Sequence, residues 1–379
     1  MKILNPGDCI GIIGGGQLGR MMAVEAYQLG LRIAVLDPDP EAPLCQIADE
    51  RIIADYSDPH AIAELGRVAS AVTYEFENVS AGVLADLDGE GRLFPNARLL
   101  AISQDRIQEK AAFRRLGLKT AGYLAVEPAV REPLNQVERY PVIVKTARGG
   151  YDGHGQRRCA NSGELQSVMD EWHDIPLVIE QYVPFDKEIS VVLTRDQHGH
   201  LVDFGAIENH HQNGILDFSV SPAAVSDSIR DRAVSYAYRL AVELGLVGTM
   251  AVEFFVAGEE VLVNEMAPRP HNSGHLTIEA FEFSQFAQHI RAVAGLPLGN
   301  HHQLSAAAMA NLLGDIWTDH QALPDVSAAL AVPATHLHLY GKRVARAGRK
   351  MGHLTVLAES PTTALRRADQ ARKALTASH

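Results

Sequence analysis

Two glutamates in a predicted β-hairpin are the strongest chemical signal in the sequence. The apolar stretches 249–256 and 261–266 flank a turn. A register centred on Glu259 places Glu253 opposite Glu265, with both side chains on one face because side chains alternate along a strand. Opposed carboxylates repel, and a divalent cation removes that conflict. Mg²⁺ favours one or two carboxylates together with substrate phosphates. The alternative is a solvated acidic face, which the otherwise apolar strands disfavour.

A lysine and a glycine-rich loop follow one another near the middle of the chain. Lys145 ends an apolar strand, and four glycines lie within residues 149–155. A lysine beside a glycine hairpin can cover nucleotide phosphates, although the Walker pattern Gly-Lys-Ser/Thr does not occur. Tyr151 and Asp152 are poor choices for simple flexibility, and Asp152 could accept a proton. The alternative is a flexible exposed hairpin.

An earlier glycine loop, residues 14–19, follows the first predicted strand and opens a helix. Its glycines would let the backbone approach a phosphate at the helix N-terminus. Asp37 lies about 20 residues further on, where an acid that binds a ribose would sit. From this loop alone, a nicotinamide dinucleotide, another phosphate-bearing ligand and plain tight-turn geometry all stay open.

Three further polar clusters could bind anions or metals. Segment 267–275 precedes a helix and is dense in hydrogen-bonding groups, so its Arg269 could hold a phosphate or carboxylate, or the segment could be structural. His210 and His211 are neighbours on a strand and point to opposite faces, which argues against one shared metal ion. The basic cluster within 342–350 is either a solvated face or a phosphate clamp.

The elements that must position these residues alternate between strand and helix in the first hundred residues. Strands are predicted at 9–13, 32–37, 51–54 and 71–74, with helices at about 18–29 and 60–68. This βαβαβ pattern predicts a parallel sheet with right-handed crossovers.

Longer antiparallel strands are predicted after residue 140. Further strands are expected at 140–145, 176–183, 188–193, 201–207, 249–266 (the hairpin), 334–340 and 351–358, and helices at about 104–116, 161–173, 226–244 and 280–294. With no internal repeat and no low-complexity linker, we expect the domains to pack together.

Composition limits the possible partners. The chain has 379 residues, a net charge of −12 and three cysteines whose spacing fits neither a zinc site nor a disulfide framework. An acidic chain of this kind is a poor non-specific binder of nucleic acid or membranes. No signal peptide and no apolar stretch of about 18 residues is present, so we expect a cytoplasmic protein without a membrane partner.

Together, these motifs resemble the ATP-grasp superfamily and, within it, the N5-carboxyaminoimidazole ribonucleotide synthetase family, over nearly the whole chain. The segments that carry the resemblance are 14–20, 73–79, 104–106, 149–153, 264–275 and 341–342. The resemblance implies an α/β and α+β architecture, an ATP-grasp fold with an N-terminal parallel, Rossmann-like α/β domain and a small C-terminal domain. The expected domains are 1–104 on the substrate side, 105–300 for the ATP-grasp domain (a lid at about 120–183 and a larger part at 184–300) and 301–379.

The resemblance also implies an activity. The family carboxylates 5-aminoimidazole ribonucleotide with bicarbonate and ATP, through carboxyphosphate, to give N5-carboxyaminoimidazole ribonucleotide, ADP and phosphate in purine biosynthesis. The implied cofactors are ATP and Mg²⁺, with Mn²⁺ possible, and the implied assembly is a homodimer. The alternatives are an NAD-dependent oxidoreductase, a non-catalytic nucleotide-binding regulator and another ATP-grasp ligase. The first of these leaves Glu253 and Glu265 unexplained.

Site residues are carried over by the same resemblance. The catalytic residues would be Tyr151, Asp152, Arg269 and Lys342, and the metal ligands Glu253 and Glu265. ATP would be bound by Arg106, Lys145, Gly150, Tyr151, Asp152, Gly153, His154, Gly155, Gln156, Glu180, Gln181, Tyr182, Val183, Glu188, His211, Asn264 and Glu265. The substrate would be bound by Gly15, Gln17, Leu18, Glu75, His271, Asn272, Ser273, Lys342 and Arg349.

Two positions depart from the pattern. His154 stands where family members often have Arg, so activity could weaken as pH rises if this position holds the carboxyl group. Ala267 stands where many ATP-grasp relatives have Asn two residues after the second metal ligand. We therefore expect two carboxylates, phosphate oxygens and water around the metal.

Overall fold

The computed structural model describes residues 3–128, 136–150, 155–317 and 324–376. The strands are β1 (Cys9–Ile13), β2 (Arg32–Leu36), β3 (Glu50–Ile52), β4 (Ala71–Tyr74), β5 (Tyr123–Val126), β6 (Val142–Thr146), β7 (Gln156–Cys159), β8 (Leu177–Gln181), β9 (Lys187–Arg195), β10 (Leu201–Gln212), β11 (Ile215–Ser221), β12 (Gly248–Ala257), β13 (Glu260–Ala267), β14 (Ala306–Leu313), β15 (Thr335–Leu339) and β16 (Lys350–Ala358). The α-helices are α1 (Gln17–Gln28), α2 (Pro59–Val68), α3 (Ala85–Gly89), α4 (Ala97–Ser103), α5 (Arg106–Arg115), α6 (Ser162–Glu171), α7 (Asp227–Glu243), α8 (Thr277–Ala280), α9 (Gln285–Val293), α10 (Ser327–Leu330) and α11 (Pro361–Thr376).

The N-terminal strands form a parallel sheet in the order β3-β2-β1-β4, which confirms the predicted βαβαβ unit. Buried isoleucines and valines fill both faces of its central strands, as expected when helices cover both sides. Helix α1 packs through Met22 and Ala26, both fully buried. Its N-terminus therefore lies at the carboxyl end of β1, beside the glycine loop.

An eight-stranded sheet forms the centre of the molecule. Its order is β13-β12-β9-β10-β11-β14-β16-β15, with antiparallel neighbours throughout. The predicted hairpin stands at one edge, and strands from the C-terminal segment complete the other. The C-terminal segment thus extends the central sheet by hydrogen bonds across β11 and β14.

Strand β14 was not predicted, because its sequence Ala-Ala-Ala-Met-Ala-Asn-Leu-Leu favours a helix. Tertiary packing overrides that preference. The side chains of Ala308 and Ala310 belong to the core against α11, and those of Ala307 and Met309 to the core on the opposite face. The small alanine side chains let α11 lie close to the sheet. Because side chains alternate along β14, the strand contributes residues to the cores on both faces of the sheet.

The lid is a separate antiparallel sheet in the order β5-β8-β6-β7. Its core packs against α6 through Leu165, Val168 and Met169. Near the entry to the lid, the backbone N–H of Val263 donates to the carbonyl of Lys119 at 2.7 Å. The lid is thus tied directly to the hairpin edge of the central sheet.

Two predicted helices begin later than expected. The predicted helix 104–116 starts at Arg106, because the Asp105 carboxylate caps it by accepting from the N–H groups of Ile107 and Gln108. The predicted helix 280–294 starts at Gln285, because the Ser284 hydroxyl accepts from Ala287 N–H. Among the described residues, no helix combines the length and apolarity needed to cross a membrane.

Candidate active site

A cavity of about 1000 Å³ opens between the N-terminal sheet, the lid and the central sheet. Most of the residues predicted to act in the site line it. They are Gln17, Leu18, Glu75, Arg106, Lys145, Gly150, Gln156, Glu180, Gln181, Tyr182, Val183, Glu188, His211, Glu253, Asn264, Glu265, Arg269, His271, Asn272, Lys342 and Arg349. The fold thus brings together residues that are far apart in the sequence.

Several predicted residues are placed elsewhere. Gly15, Gly155 and Ser273 do not line the cavity. The Gly155 carbonyl accepts from Thr146 N–H at 2.8 Å, which holds the base of the lid loop. Residues 151–154, with the predicted catalytic pair and His154, lie outside the described residues.

The structure places Glu253 opposite Glu265 and confirms a turn within residues 257–260, but the predicted centre of the register at Glu259 was wrong. Ala257 pairs with Glu260, so the loop has two residues and is centred one half-residue earlier than expected. That register alone would put Asn264 opposite Glu253. A β-bulge between Glu253 and Phe254 on the paired strands leaves Asn264 as the extra residue and restores the opposition of the two glutamates.

The paired carboxylates have the chemistry of a cation site. Burial, and then the charge of Glu265, raise the pKa of Glu253. A cation would lower it again by neutralising the pair. The amide oxygen of Asn264 is buried and has no hydrogen-bond partner among the described residues, so a third hard oxygen stands beside them. The described residues hold no group of three His, Cys, Asp or Glu side chains arranged for a metal, so further ligands must come from substrate or water.

A buried charge network joins α5 to the lid sheet, and one of its members, Lys110, was missed from the sequence. Glu180 forms ion pairs with Lys145 at 2.9 Å and with Lys110 at 3.1 Å. Burial alone would raise the pKa of Glu180, but the two ammonium groups outweigh it and lower the pKa to about 2. Lys110, 1% exposed, also donates to the Asn264 carbonyl at 2.9 Å. Lys110 lies one helical turn after Arg106, and this spacing is the signal that could have found it.

Glu109 is a third carboxylate near the pair and was also missed. It lines the cavity and accepts from Met266 N–H at 2.7 Å. Burial, and then the charge of Glu265, raise the pKa of Glu109. The concentration of buried negative charge at this point strengthens the case for a cation.

Arg106 is held at the mouth of the lid loop. Its guanidinium donates to the carbonyls of Thr146 at 3.1 Å and Gly150 at 3.3 Å. The backbone N–H of Arg106 also donates to the Ala147 carbonyl at 2.9 Å. Helix α5 therefore carries a cation to the point where the strand β6 enters the glycine loop.

The opposite wall of this end is aromatic and acidic. The rings of Phe185 and Phe255 stack with centroids 4.7 Å apart. Glu188 pairs with His211 across β9 and β10. Burial alone would lower the pKa of His211, but the Glu188 carboxylate raises it. Flat apolar surfaces and a nearby carboxylate suit a purine base and its ribose.

The first glycine loop is already filled by side chains of the protein. Gly15 N–H donates to Asp37 Oδ2 at 2.6 Å, and Gly19 N–H donates to Glu75 Oε2 at 2.8 Å. Gly16 N–H donates to the other oxygen of Glu75. The backbone donors that would bind a dinucleotide phosphate are therefore satisfied by two carboxylates, which removes the physical basis of the oxidoreductase alternative.

Cations face the cavity from the other side. Arg269 Nε lies 2.8 Å from Glu77 Oε1, and Arg349 donates to the Val344 carbonyl at 2.7 Å. Lys342 donates to the Lys350 carbonyl at 2.8 Å. Burial, and then the charge of Arg349, lower the pKa of Lys342 to about 8. A lysine whose pKa is lowered by a neighbouring arginine lies close enough to it for both side chains to bind one anion, such as a phosphate.

Sequence models of known domains match three parts of the chain. The model of the ATP-grasp domain matches residues 111–286, and that of the ribonucleotide synthetase preATP-grasp domain matches residues 8–104. The model of the phosphoribosylaminoimidazole carboxylase C-terminal domain matches residues 307–367.

Whole-chain relatives agree with these matches. The chain is 42% identical over 359 residues to the N5-carboxyaminoimidazole ribonucleotide synthase of Bacillus subtilis, covering 94% of this chain and 93% of the relative. It is 43% identical over 357 residues to the Brucella melitensis enzyme of the same name, covering 93% and 97%.

Solved structures extend the agreement to the fold. A crystal structure of an N5-carboxyaminoimidazole ribonucleotide synthetase in complex with ADP superposes with a TM-score of 0.90 at 41% identity, covering 98% of this chain and 97% of that one. The Aspergillus clavatus synthase, in complex with ADP and 5-aminoimidazole ribonucleotide, superposes with a TM-score of 0.88 at 27% identity, covering 98% and 99%.

Proposed function

The chain belongs to the N5-carboxyaminoimidazole ribonucleotide synthetase family of ATP-grasp enzymes, and from this premise we propose how its own cavity performs the reaction. The reaction is the ATP-dependent carboxylation of 5-aminoimidazole ribonucleotide in purine biosynthesis. The observation that carries the proposal is one cavity lined by Lys145 and Glu180 from the lid sheet, by Glu253 and Glu265 from the hairpin, and by Lys342 and Arg349 from the C-terminal segment.

The nucleotide occupies the end beneath the lid. Arg106 and Lys145 contact its phosphates, and the segment from Glu180 to Val183 borders the adenine, with Glu188 near the ribose. The ion pair of Lys145 with Glu180 supports this placement, because it holds the ammonium group at the base of the lid loop. Positioning and charge neutralisation are what phosphoryl transfer most requires.

Glu253 and Glu265 would hold Mg²⁺, or Mn²⁺, with the Asn264 amide oxygen beside them. When bound, the ion supplies charge neutralisation and alignment of the nucleotide phosphates. The raised pKa of Glu253 and the unpartnered Asn264 oxygen support this assignment.

The aminoimidazole nucleotide occupies the other end, and its phosphate contacts Lys342 and Arg349. Bicarbonate is a poor electrophile, so the γ-phosphate of ATP activates it as carboxyphosphate between the two nucleotides. Arg269 and His271 stabilise the carboxyl group, and Asp152, with Tyr151, accepts the proton from the substrate amine. A closed cavity keeps water from the intermediate. The homodimer and the cytoplasmic location stay predictions.

The test is phosphate release from ATP, measured with bicarbonate in the presence and absence of 5-aminoimidazole ribonucleotide. Release should depend on bicarbonate and rise when the nucleotide is added. A rate that the nucleotide does not change would refute the assigned substrate. Omitting bicarbonate while keeping the nucleotide is the matched control for uncoupled hydrolysis.

A further inference from the structure

A row of buried polar side chains crosses the central sheet beneath the cavity. Ser219 on β11 lies opposite Asn209 on β10, and Ser190 on β9 lies opposite Glu253 on β12. Ser190 and Ser219 are fully buried, and Asn209 is 5% exposed. Buried polar groups need hydrogen-bond partners inside the protein. The partners of these side chains therefore indicate what the row does.

The hydrogen bonds of the row all run in one direction. The Ser219 hydroxyl donates to Asn209 Oδ1 at 2.9 Å, and Asn209 Nδ2 donates to Ser190 Oγ at 3.0 Å. The Ser190 hydroxyl then donates to Ser273 Oγ at 2.8 Å. The proton of the Ser273 hydroxyl is therefore available for His271 Nδ1, which is 2.9 Å away.

The backbone N–H of Ser273 favours the same tautomer of His271 as the row does. This N–H lies 3.3 Å from His271 Nδ1 and can only donate. With the Ser273 hydroxyl also directed at it, Nδ1 is the unprotonated nitrogen, so the ring is neutral and its proton is on Nε2. That atom lies 3.2 Å from Glu253 Oε1.

Reversing the row would be unfavourable at both ends of the ring. A proton on Nδ1 would face the Ser273 N–H, and the bare lone pair of Nε2 would face the Glu253 carboxylate. The direction of the row and the tautomer of His271 therefore depend on each other.

We propose that Ser190, Asn209 and Ser219 are positioning residues that hold His271 in its Nε2–H tautomer and so fix one oxygen of Glu253 for the metal. Partners outside the first ligand layer commonly tune metal affinity in this way, by about 10-fold to 100-fold. The assignment of the tautomer does not depend on the proposed function. The effect of the tautomer on Glu253 as a metal ligand does rest on the proposed function.

Asn209→Asp tests whether the direction of the hydrogen bonds in the row matters, because aspartate has a similar shape but lacks the amide donor. An aspartate accepts hydrogen bonds and donates none, so Ser190 and Ser219 would both donate to it. Ser190 Oγ would then accept from the Ser273 hydroxyl, which leaves no hydroxyl proton for His271 Nδ1. Nδ1 would then keep only the Ser273 N–H as a donor, so we expect the population to shift from the Nε2–H tautomer towards the Nδ1–H tautomer.

The tautomer can be read directly from the ¹⁵N resonances of the His271 ring, assigned by their loss in His271→Asn. The natural protein should show an unprotonated Nδ1, and Asn209→Asp should show a larger fraction of rings protonated at Nδ1. Ser221→Ala is the matched control, since it removes a buried hydroxyl from β11, the strand that carries Ser219, and this hydroxyl bonds to Gln303 instead. A protonated Nδ1 in the natural protein overturns the proposal, whether or not the variant folds.

The second readout is Mn²⁺ binding, measured by electron paramagnetic resonance with saturating ADP. Asn209→Asp should weaken Mn²⁺ binding about tenfold, whereas Ser221→Ala should leave it unchanged. If the tautomer changes but Mn²⁺ binding does not, the proposed effect of the His271 tautomer on Glu253 is wrong. Mn²⁺ binding that is equal in the natural protein and in Glu253→Gln refutes the metal assignment of the proposed function and leaves the tautomer assignment standing.

Discussion

At the scale of single residues, the nucleotide end depends on charges that are buried in the protein itself. Glu180 is held between Lys110 and Lys145, so one carboxylate orients the lysine that we assign to the phosphates. Lys110 does not itself line the cavity and acts through Glu180. A buried ammonium of this kind is tolerated only because its partners are in place.

Lys110→Met tests this dependence. We expect the free energy of unfolding to fall by about 1.5–3 kcal/mol, because the buried Glu180 carboxylate loses one of its two charged partners and keeps Lys145. Lys119→Met is the control. Lys119 pairs with Glu260 at 2.5 Å, but both side chains are more than half exposed, so its loss should change stability by less than about 1 kcal/mol. Urea unfolding of both variants without nucleotide measures the difference, and equal effects would contradict it.

Lys342 should make substrate capture sensitive to alkaline pH. Its pKa is lowered to about 8, so the ammonium form predominates below that pH and is lost as the pH rises through it. We expect kcat/KM for 5-aminoimidazole ribonucleotide to fall above pH 8, because this parameter reports the free enzyme. In Lys342→Arg the guanidinium stays charged, so this decline should disappear even if the rate is lower. An unchanged decline in Lys342→Arg would point to another group.

Glu265→Gln should abolish turnover. The amide keeps the shape of the side chain but removes one of the two charges that would hold the cation. Phosphate release at saturating Mg²⁺ measures the loss. Near-normal release would refute the metal assignment, whereas partial rescue by excess Mn²⁺ would support it.

At the scale of elements, alternation along strands predicted the opposed glutamates, but local sequence could not predict how the fold achieves this. The hairpin is centred half a residue earlier than a symmetric register requires, and the bulge at Asn264 compensates. Nothing in the residue types around Asn264 marks a bulge. Strand β14 escaped prediction for the opposite reason, because its alanines carry a clear helical preference that two packed cores override.

The predicted site residues came chiefly from family resemblance, and the residues missed are those whose role depends on burial. A lysine or glutamate on a helix is normally exposed, so Lys110 and Glu109 gave no strong signal by type. Asp37 was considered as a residue that could bind a ribose, but the structure gives it other partners. It accepts from the glycine loop and from the Tyr56 hydroxyl at 2.6 Å rather than lying free for a ribose.

The glycine loop of the N-terminal sheet supplies a prediction at this scale. A Cβ added at Gly16 would overlap the Glu75 carboxylate, which must then release its bonds to the loop. We expect Gly16→Ala to raise KM for 5-aminoimidazole ribonucleotide severalfold and to leave KM for ATP nearly unchanged. Gly89→Ala is the control, since a Cβ there meets nothing within 4 Å. Equal changes in both KM values would show a general loss of structure instead.

At the scale of the whole molecule, the central sheet and the lid are separate packing units. The sheet runs without interruption from the hairpin to the C-terminal strands, whereas the lid has its own sheet and core. One continuous sheet therefore carries Glu253 and Glu265 at one edge and the two strands that flank Lys342 at the other. The lid is joined to this sheet through the backbone hydrogen bond between Val263 and Lys119.

The two tryptophans report on these two units. Trp172 packs on the lid core, and Trp317 lies in the core of the C-terminal strands. Each variant keeps one tryptophan as the reporter: Trp317→Phe keeps Trp172, and Trp172→Phe keeps Trp317. We expect the fluorescence of Trp172 to change at a lower urea concentration than the fluorescence of Trp317. ADP should shift the Trp172 transition upward, because ligand binding stabilises the state that binds it. Coincident transitions with and without ADP would show that lid and sheet unfold as one.

The carboxylates that occupy the N-terminal glycine loop also bear on selectivity among cellular metabolites and on inhibitor design. A dinucleotide entering this loop would bring its pyrophosphate against Asp37 and Glu75, and the repulsion between buried like charges rejects it. Redox cofactors should therefore compete poorly here. An inhibitor should present hydroxyl or amine donors to this loop and keep its anionic group for Lys342 and Arg349.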